Sequence, residues 1–288
     1  MTKLPVADAI RFAYGFAFGQ IGAIIGLVWL PLVILAILQF LPYAIGTAYA
    51  PGSTDPTEAA GAAVLNLAFS AAALVLYAMN CVAVTRQALG LRQGAASLHF
   101  TLGRPEWRMF AAIVICGLLL VSAVGAYVMI GTAIVPAAQH APGLAFLAAV
   151  YVVAGLCALA WLAMRFIFLL APIVVAEERV DLVRAWMLSR KNFWRMLAVA
   201  LAVTVPLLLA QSAALAAIVG PGLFAPLPEN TTAAAAALQQ RLALFDRHMP
   251  SMIGLALVLA PFSLGLTLGA SSFSYRALVP AKPAAPTD

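Results

Sequence analysis

A chain of 288 residues that is 65% hydrophobic and only 9% charged is not a soluble domain, because soluble domains carry roughly 25% charged residues. Its formal net charge of +6 does not point to nucleic acid: the basic residues sit in connections with neither the length nor the basic density of a nucleic-acid reader domain. Three cysteines, Cys81, Cys116 and Cys157, all lie in apolar runs without CxxC or Cys/His pairing, so they read as small buried hydrophobes, not as disulfide or metal positions.

No charged residue occurs between Arg11 and Asp55, Glu58 and Arg86, Arg108 and Arg165, Arg195 and Glu229, or Arg247 and Arg276. A soluble fold cannot hide that much apolar chain, so the solvent is lipid. The N-terminal segment Met1 to Gln20 contains Lys3, Asp8 and Arg11. The apolar run after it is too long for the core of a cleavable signal, which makes it the first span.

At about 20 apolar residues per span, six spans are predicted: Ile21–Ala48, Ala60–Arg86, Phe110–Pro136, Gly143–Arg165, Met196–Val219 and Met252–Arg276. Pro31, Pro206 and Pro261 lie inside spans and predict kinks. The connections between them alternate in character. Pro51–Glu58 is short and acidic, and Ala137–Pro142 is barely a turn, with a solvated His140. Gly220–Ser251 is long. Within it, Thr232–Arg247 has Leu238, Leu242 and Phe245 at helical spacing and predicts an amphipathic helix lying on the outer surface.

The basic residues fix the orientation. Lys3 and Arg11, then Arg86, Arg92, Arg104 and Arg108, then Arg165, Arg179, Arg184, Arg190, Lys191 and Arg195, then Arg276 and Lys282 share one side; only Arg241 and Arg247 lie on the other. The basic side is cytoplasmic, so both termini are expected inside. The Ala-rich, Lys-poor composition suits a bacterial inner membrane, and the Asn230-Thr231-Thr232 sequon has no weight there.

A period of roughly 90 residues predicts three units, 1–95, 96–178 and 179–288, within one membrane domain, each an amphipathic segment followed by two spans. Trp107-Arg108-Met109 matches Trp194-Arg195-Met196, and each triplet opens a span. The even spans close on Arg86, Arg165 and Arg276. The apolar run Gly143 to Ala176 is too long for one upright helix. With Arg165 at the interface, Phe166–Ala176 becomes a re-entrant or interfacial segment broken near Pro172. The alternative is one tilted helix with a buried, functional Arg165. The helix Val180–Arg195 follows, its apolar side formed by Val180, Val183, Trp186, Met187, Phe193 and Trp194, its other side by Asp181, Arg184, Arg190, Lys191 and Arg195. Such a helix suits the headgroup layer, where cations attract anionic lipid.

The stretch from Arg165 contains Ala171-Pro172-Ile173-Val174, Glu177, Ala185-Trp186-Met187-Leu188-Ser189-Arg190 and Asn192-Phe193-Trp194-Arg195. It resembles the six-helix membrane domain fused to some bacterial glycerophosphodiester phosphodiesterases, and the related stand-alone inner-membrane proteins of uncharacterised role. The resemblance covers about thirty residues by motif and the rest by layout. Ala185 stands where that family usually has Ser, and Lys191 where it usually has Gly. The phosphodiesterase domain is absent, so the resemblance implies the membrane scaffold and not the hydrolase.

Polar residues within the spans are Gln39, Asn66, Asn80, Ser122, Thr204, Gln211, Ser212, Ser263, Thr267, Ser271 and Ser272. Such side chains are expected to bond between helices or back to their own backbone. No Ser/His/Asp set, metal-binding cluster, P-loop or dinucleotide motif is present, so no catalytic residue, metal or cofactor is assigned. The expectation is an all-α polytopic bundle with a non-enzymatic role: a scaffold or lipid-interacting module, with anionic lipid and an envelope protein as partners. A transporter or channel for a small or lipidic solute is the alternative. Arg86, Arg165 and Arg276 are the candidate anion or headgroup ligands if the units pack around a pseudo-threefold axis, and three separate anchors otherwise. Trp186, Arg190, Lys191, Trp194 and Arg195 are the candidate interfacial residues.

Overall fold

In lipid a backbone must satisfy its own hydrogen bonds, and for one continuous apolar segment the helix is the way to do so. The computed structural model describes residues 3–44, 56–92, 100–140, 142–220 and 230–279, with 226 and 228. Its helices are α1 (Val6–Gly19), α2 (Ile21–Ala44), α3 (Pro56–Leu89), α4 (Arg104–His140), α5 (Pro142–Phe166), α6 (Leu170–Ala176), α7 (Leu182–Ser189), α8 (Phe193–Val219) and α9 (Thr231–Leu278), and no strand occurs among the described residues. Six of these helices are long and apolar enough to cross a membrane. The protein is an all-α, multi-pass membrane bundle.

Each predicted span falls on one helix, with shifted ends. Residues 45–48 of the first span, and most of the Pro51–Glu58 loop, lie outside the described residues. Helix α4 runs on to His140, so the segment read as a turn with a solvated histidine is largely helix. The amphipathic segment Thr232–Arg247 does not form a separate surface helix: it is continuous with the last span in the 48-residue α9. Asn230 caps that helix by accepting from Thr232 N–H at 3.0 Å, and α9 continues through Pro250 and Pro261. Nothing between residues 247 and 252 supplies the Gly-type stop that would end a helix.

Two corrections concern the connection from α5 to α8. The break after Arg165 falls at residues 167–169, not near Pro172. Pro172 stands in the first turn of α6, where a missing N–H leaves no bond unmade, and Leu170 to Val175 are all buried. Helix α6 packs against α3, α4 and α9, so this segment is interior to the bundle. The single helix expected over Val180–Arg195 is two: α7 ends at Ser189, and α8 starts at Phe193 after a turn over residues 190–192. Asp181 caps α7, its Oδ1 accepting from the Arg184 N–H at 2.8 Å.

Helix α1 does not lie across the face of the bundle as an amphipathic surface helix would. It packs along α9 in the opposite sense, Phe12 meeting Phe273 and Phe18 meeting Phe262. Ala9, Ala13 and Ala17 are fully buried on that side. Facing them is a Gly265-xxx-Gly269 pair, the small-residue spacing that lets two helix backbones approach. A Cβ on Gly265 would stand 2.9 Å from Ile24 Cδ1 and 3.2 Å from the Ala17 Cα; one on Gly269 would stand 3.0 Å from Phe16 Cδ1. Gly265→Val is therefore expected to cost about 1–3 kcal/mol by overpacking, read as a lower melting temperature in detergent. A melting temperature equal to wild type would show that α1 is not held by this contact.

Helices α4 and α5 pair with each other, with Gly155 beneath the Tyr127 ring and Tyr151 stacked on Tyr127 at 4.9 Å. Leu118, Val121, Met129, Phe146 and Val153 on this pair are all exposed, as suits side chains whose solvent is lipid. The three predicted units open differently: on the separate helix α1, directly on the span α4, and on the short α7 ahead of α8.

Candidate functional site

The motif-bearing segment from Arg165 to Arg195 folds into three linked contacts at one end of the bundle. The first surrounds Arg165 in the last turn of α5. This side chain is only 8% exposed. Its guanidinium carbon lies 4.6 Å from the Trp161 ring centre, 4.3 Å from Trp186 and 6.0 Å from Phe193. Trp161 and Trp186 meet edge to face at 5.2 Å, and Phe166 lies 5.5 Å from Trp186. Aromatic faces attract a cation most strongly where water is excluded. Trp186, half-buried, thus reaches from α7 over Arg165.

The second contact centres on Glu177, the residue that ends α6. One carboxylate oxygen accepts from Arg184 Nε at 3.1 Å and from the Tyr275 hydroxyl at 3.1 Å. The other accepts from Arg179 at 2.9 and 3.2 Å. Arg179 also reaches Asp181 at 3.3 Å. Burial opposes the Glu177 charge, but the hydrogen bonds from Arg179, Arg184 and Tyr275 and the nearby Arg184 cation outweigh it and hold the carboxyl below its ordinary pKa. The next residue, Glu178, takes the left-handed backbone (φ 52°) that stops the helix, and pairs with Arg108 at the start of α4 at 3.4 Å.

The third contact fixes the N-terminal segment. Asn192 Oδ1 accepts from the Leu4 N–H at 3.2 Å, and Arg195 Nη1 donates to the Leu4 carbonyl at 2.9 Å. Leu4 is fully buried, and the Tyr14 hydroxyl donates to the Ala202 carbonyl at 3.0 Å. The motif Asn192-Phe193-Trp194-Arg195 therefore grips one peptide of the chain's beginning. Arg195 is committed to that grip. Arg190, Lys191 and Trp194 remain exposed around the α7–α8 turn, Trp194 at 77%.

The other two candidate arginines have surroundings of their own. Arg276 lies 5.0 Å over the Phe12 ring and lines a cavity of about 380 Å³ with Gln20 and Gln87, whose amides bond at 3.0 Å. Arg86 stands half-buried in the last turn of α3. Burial, and then the Arg86 charge, push the neighbouring Arg92 below its ordinary pKa. Arg165 has its aromatic cage and Arg276 its amide-lined cavity, and neither of these includes another of the three arginines.

A larger cavity, of about 540 Å³, lies deeper, walled by α2, α3, α5, α6, α8 and α9. Five of the eleven polar span residues gather on it: Asn80, Thr204, Ser263, Thr267 and Ser271. Thr267 and Ser271 donate to carbonyls of their own helix, as expected. Asn80 does not: it is 1% exposed, and neither its Oδ1 nor its Nδ2 has a hydrogen-bond partner. The linear list of polar residues could not show this convergence, which depends on how α3, α8 and α9 are rotated.

Among the described residues no group of three or more His, Cys, Asp or Glu side chains could hold a metal ion. Compared with protein-family models, with curated proteins and with solved structures, the chain matches none. Fold and site together define a multi-pass helical membrane protein whose Arg165–Arg195 segment ties charged groups together at one end, with a largely apolar cavity between its helices.

Proposed function

We propose that this is a non-enzymatic integral protein of a bacterial inner membrane, with both termini cytoplasmic, acting as a scaffold or lipid-interacting module that gathers anionic lipid and an envelope protein. The observation behind this reading is the α7–α8 turn, where Arg190, Lys191 and Trp194 are all exposed while Arg165, Glu177 and Asn192 are held in internal contacts. An aromatic ring beside two cations suits the headgroup layer. Trp107 is likewise exposed at the start of α4, though its neighbour Arg108 is paired with Glu178. The distribution of Lys and Arg supports the orientation, and the resemblance of the Arg165–Arg195 segment supports the bacterial membrane setting.

Each cation near an anionic surface contributes about 1 kcal/mol. Replacing Arg190, Lys191 and Trp194 together by Ala is then expected to lower phosphatidylglycerol retention on the purified protein roughly 30-fold, from about 2 kcal/mol at 1.4 kcal/mol per decade. Unchanged retention in a variant that melts like wild type would sink the reading, and turnover of lipid by purified protein would remove its non-enzymatic part. The internal cavity favours a second reading, carriage of a lipidic solute, which flux into proteoliposomes separates from the first.

A further inference from the structure

We propose that the 540 Å³ cavity is a binding site for an uncharged lipid, an aliphatic chain carrying one ester, amide or hydroxyl group that bonds to Asn80. The inference goes beyond the surface reading above and stands or falls separately from it. Its starting point is the Asn80 amide. A carboxamide offers two N–H donors and an acceptor, and leaving such a group unpaired in an apolar interior is costly enough that nearly all buried polar groups find a partner. Asn80 is buried and has none within the protein, and it lines a space large enough to hold one.

The size fits, since sites for small molecules measure about 300–1,000 Å³. The chemistry of the walls narrows the occupant. No Asp, Glu, Lys, Arg or His lines the cavity, so a charged headgroup would enter without a counter-ion, at a heavy desolvation cost. The remaining surface is built mainly from Leu, Ala, Ile, Val, Met and Phe side chains with a few hydroxyls, which suits an alkyl chain. Position narrows it further. Asn80 lies six residues before Arg86 on α3, about 9 Å along the helix at about 1.5 Å per residue, and every wall belongs to a helix or turn within the candidate spans. Tyr77 and Thr204 line the cavity and are also exposed on the bundle's outside, which gives an entrance from the lipid phase.

The test uses the full chain, stripped of native lipid by detergent exchange, and follows thermal unfolding in micelles as lipid is added. The probes are 1-oleoylglycerol, uncharged with one chain and an ester, and its charged counterpart 1-oleoyl-lysophosphatidylglycerol. 1-Oleoylglycerol is expected to raise the melting temperature saturably by several degrees, and the charged lipid is not. Asn80→Leu is expected to abolish that rise while melting, without lipid, at or above the wild-type temperature, because an unpaired amide has been removed. Ala200→Phe, which fills the cavity without altering Asn80, is expected to abolish the rise too. No rise in the wild type, an equal rise in Asn80→Leu, or an equal rise with the charged lipid would each overturn the proposal. So would an Asn80→Leu protein that fails to fold, since an amide required for packing is not one left open for a ligand.

Discussion

Glu177→Gln is expected to destabilise the bundle by about 2 kcal/mol, and Glu177→Ala by more. Hydrogen bonds to a charged acceptor are each worth about 1.5–3 kcal/mol, against about 0.5–1.5 for neutral ones, and Glu177 accepts from Arg179, Arg184 and Tyr275. Gln keeps the shape and one carbonyl acceptor but loses the charge that two guanidiniums face. The same residue sets an acid limit. Its folded pKa lies below the unfolded value, so its contribution is fully present above the ordinary glutamate pKa of about 4.3 and is lost as pH falls through the lower, folded value. Thermal unfolding against pH should therefore show a wild-type loss of stability, below about pH 4, that is smaller in Glu177→Gln. Identical acid profiles for the two proteins would show that Glu177 is not the group responsible.

Trp186→Ala is expected to cost about 3 kcal/mol, near the lower end of the range for removing a packed tryptophan. The loss has two parts: the edge-to-face contact with Trp161 and the tilted contact with Phe166, and the nearest aromatic face over a buried Arg165 whose Nε has no partner. A double-mutant cycle separates them. Replacing a buried charge by an apolar side chain is often tolerated, so Arg165→Leu should be milder than Trp186→Ala. In the Arg165→Leu background, Trp186→Ala should lose about 1–2 kcal/mol of its effect, the size of a desolvated cation–π interaction. Strict additivity would mean that the ring and the cation do not interact energetically, and that Trp186 acts through packing alone.

Charge-free stretches made the spans legible because lipid leaves the backbone one continuous-segment solution, and the number and order of long helices follow from that. The errors fall where contact partners decide. Whether Thr232–Arg247 forms its own helix or joins α9 depends on a stop signal that its periodicity does not report. The stretch that forms α1 reads as an amphipathic segment ahead of the first span, with Lys3 before it and Asp8 and Arg11 within it. Its alanine face and the Gly265-xxx-Gly269 pair lie almost the whole chain apart, and only packing joins them. Arg165, Trp186 and Arg195 were singled out from their residue types and spacing, but their roles were not legible: an Arg at a helix end reads as a snorkelling anchor until a tryptophan from another helix is found covering it. Glu177 stood in the motif without a task, since its partner Tyr275 comes 98 residues later. Asn80 was one polar residue among eleven until the cavity gave it a setting.

The grip of Asn192 and Arg195 on Leu4 joins residues 188 and 191 positions apart, and α1 finds its main partner in α9, the last helix. During synthesis, then, α1 emerges well before α9, the helix it packs on. Pairs formed by neighbours in the chain, such as α2 with α3 and α4 with α5, can assemble as each enters the bilayer, but the Leu4 peptide must wait for Asn192 and Arg195 and the alanine face of α1 for α9. Contacts this distant in sequence slow folding and leave apolar surface exposed in the interval. The α1–α9 contact is thus a late clasp on the bundle, one that reports that α9 has been inserted.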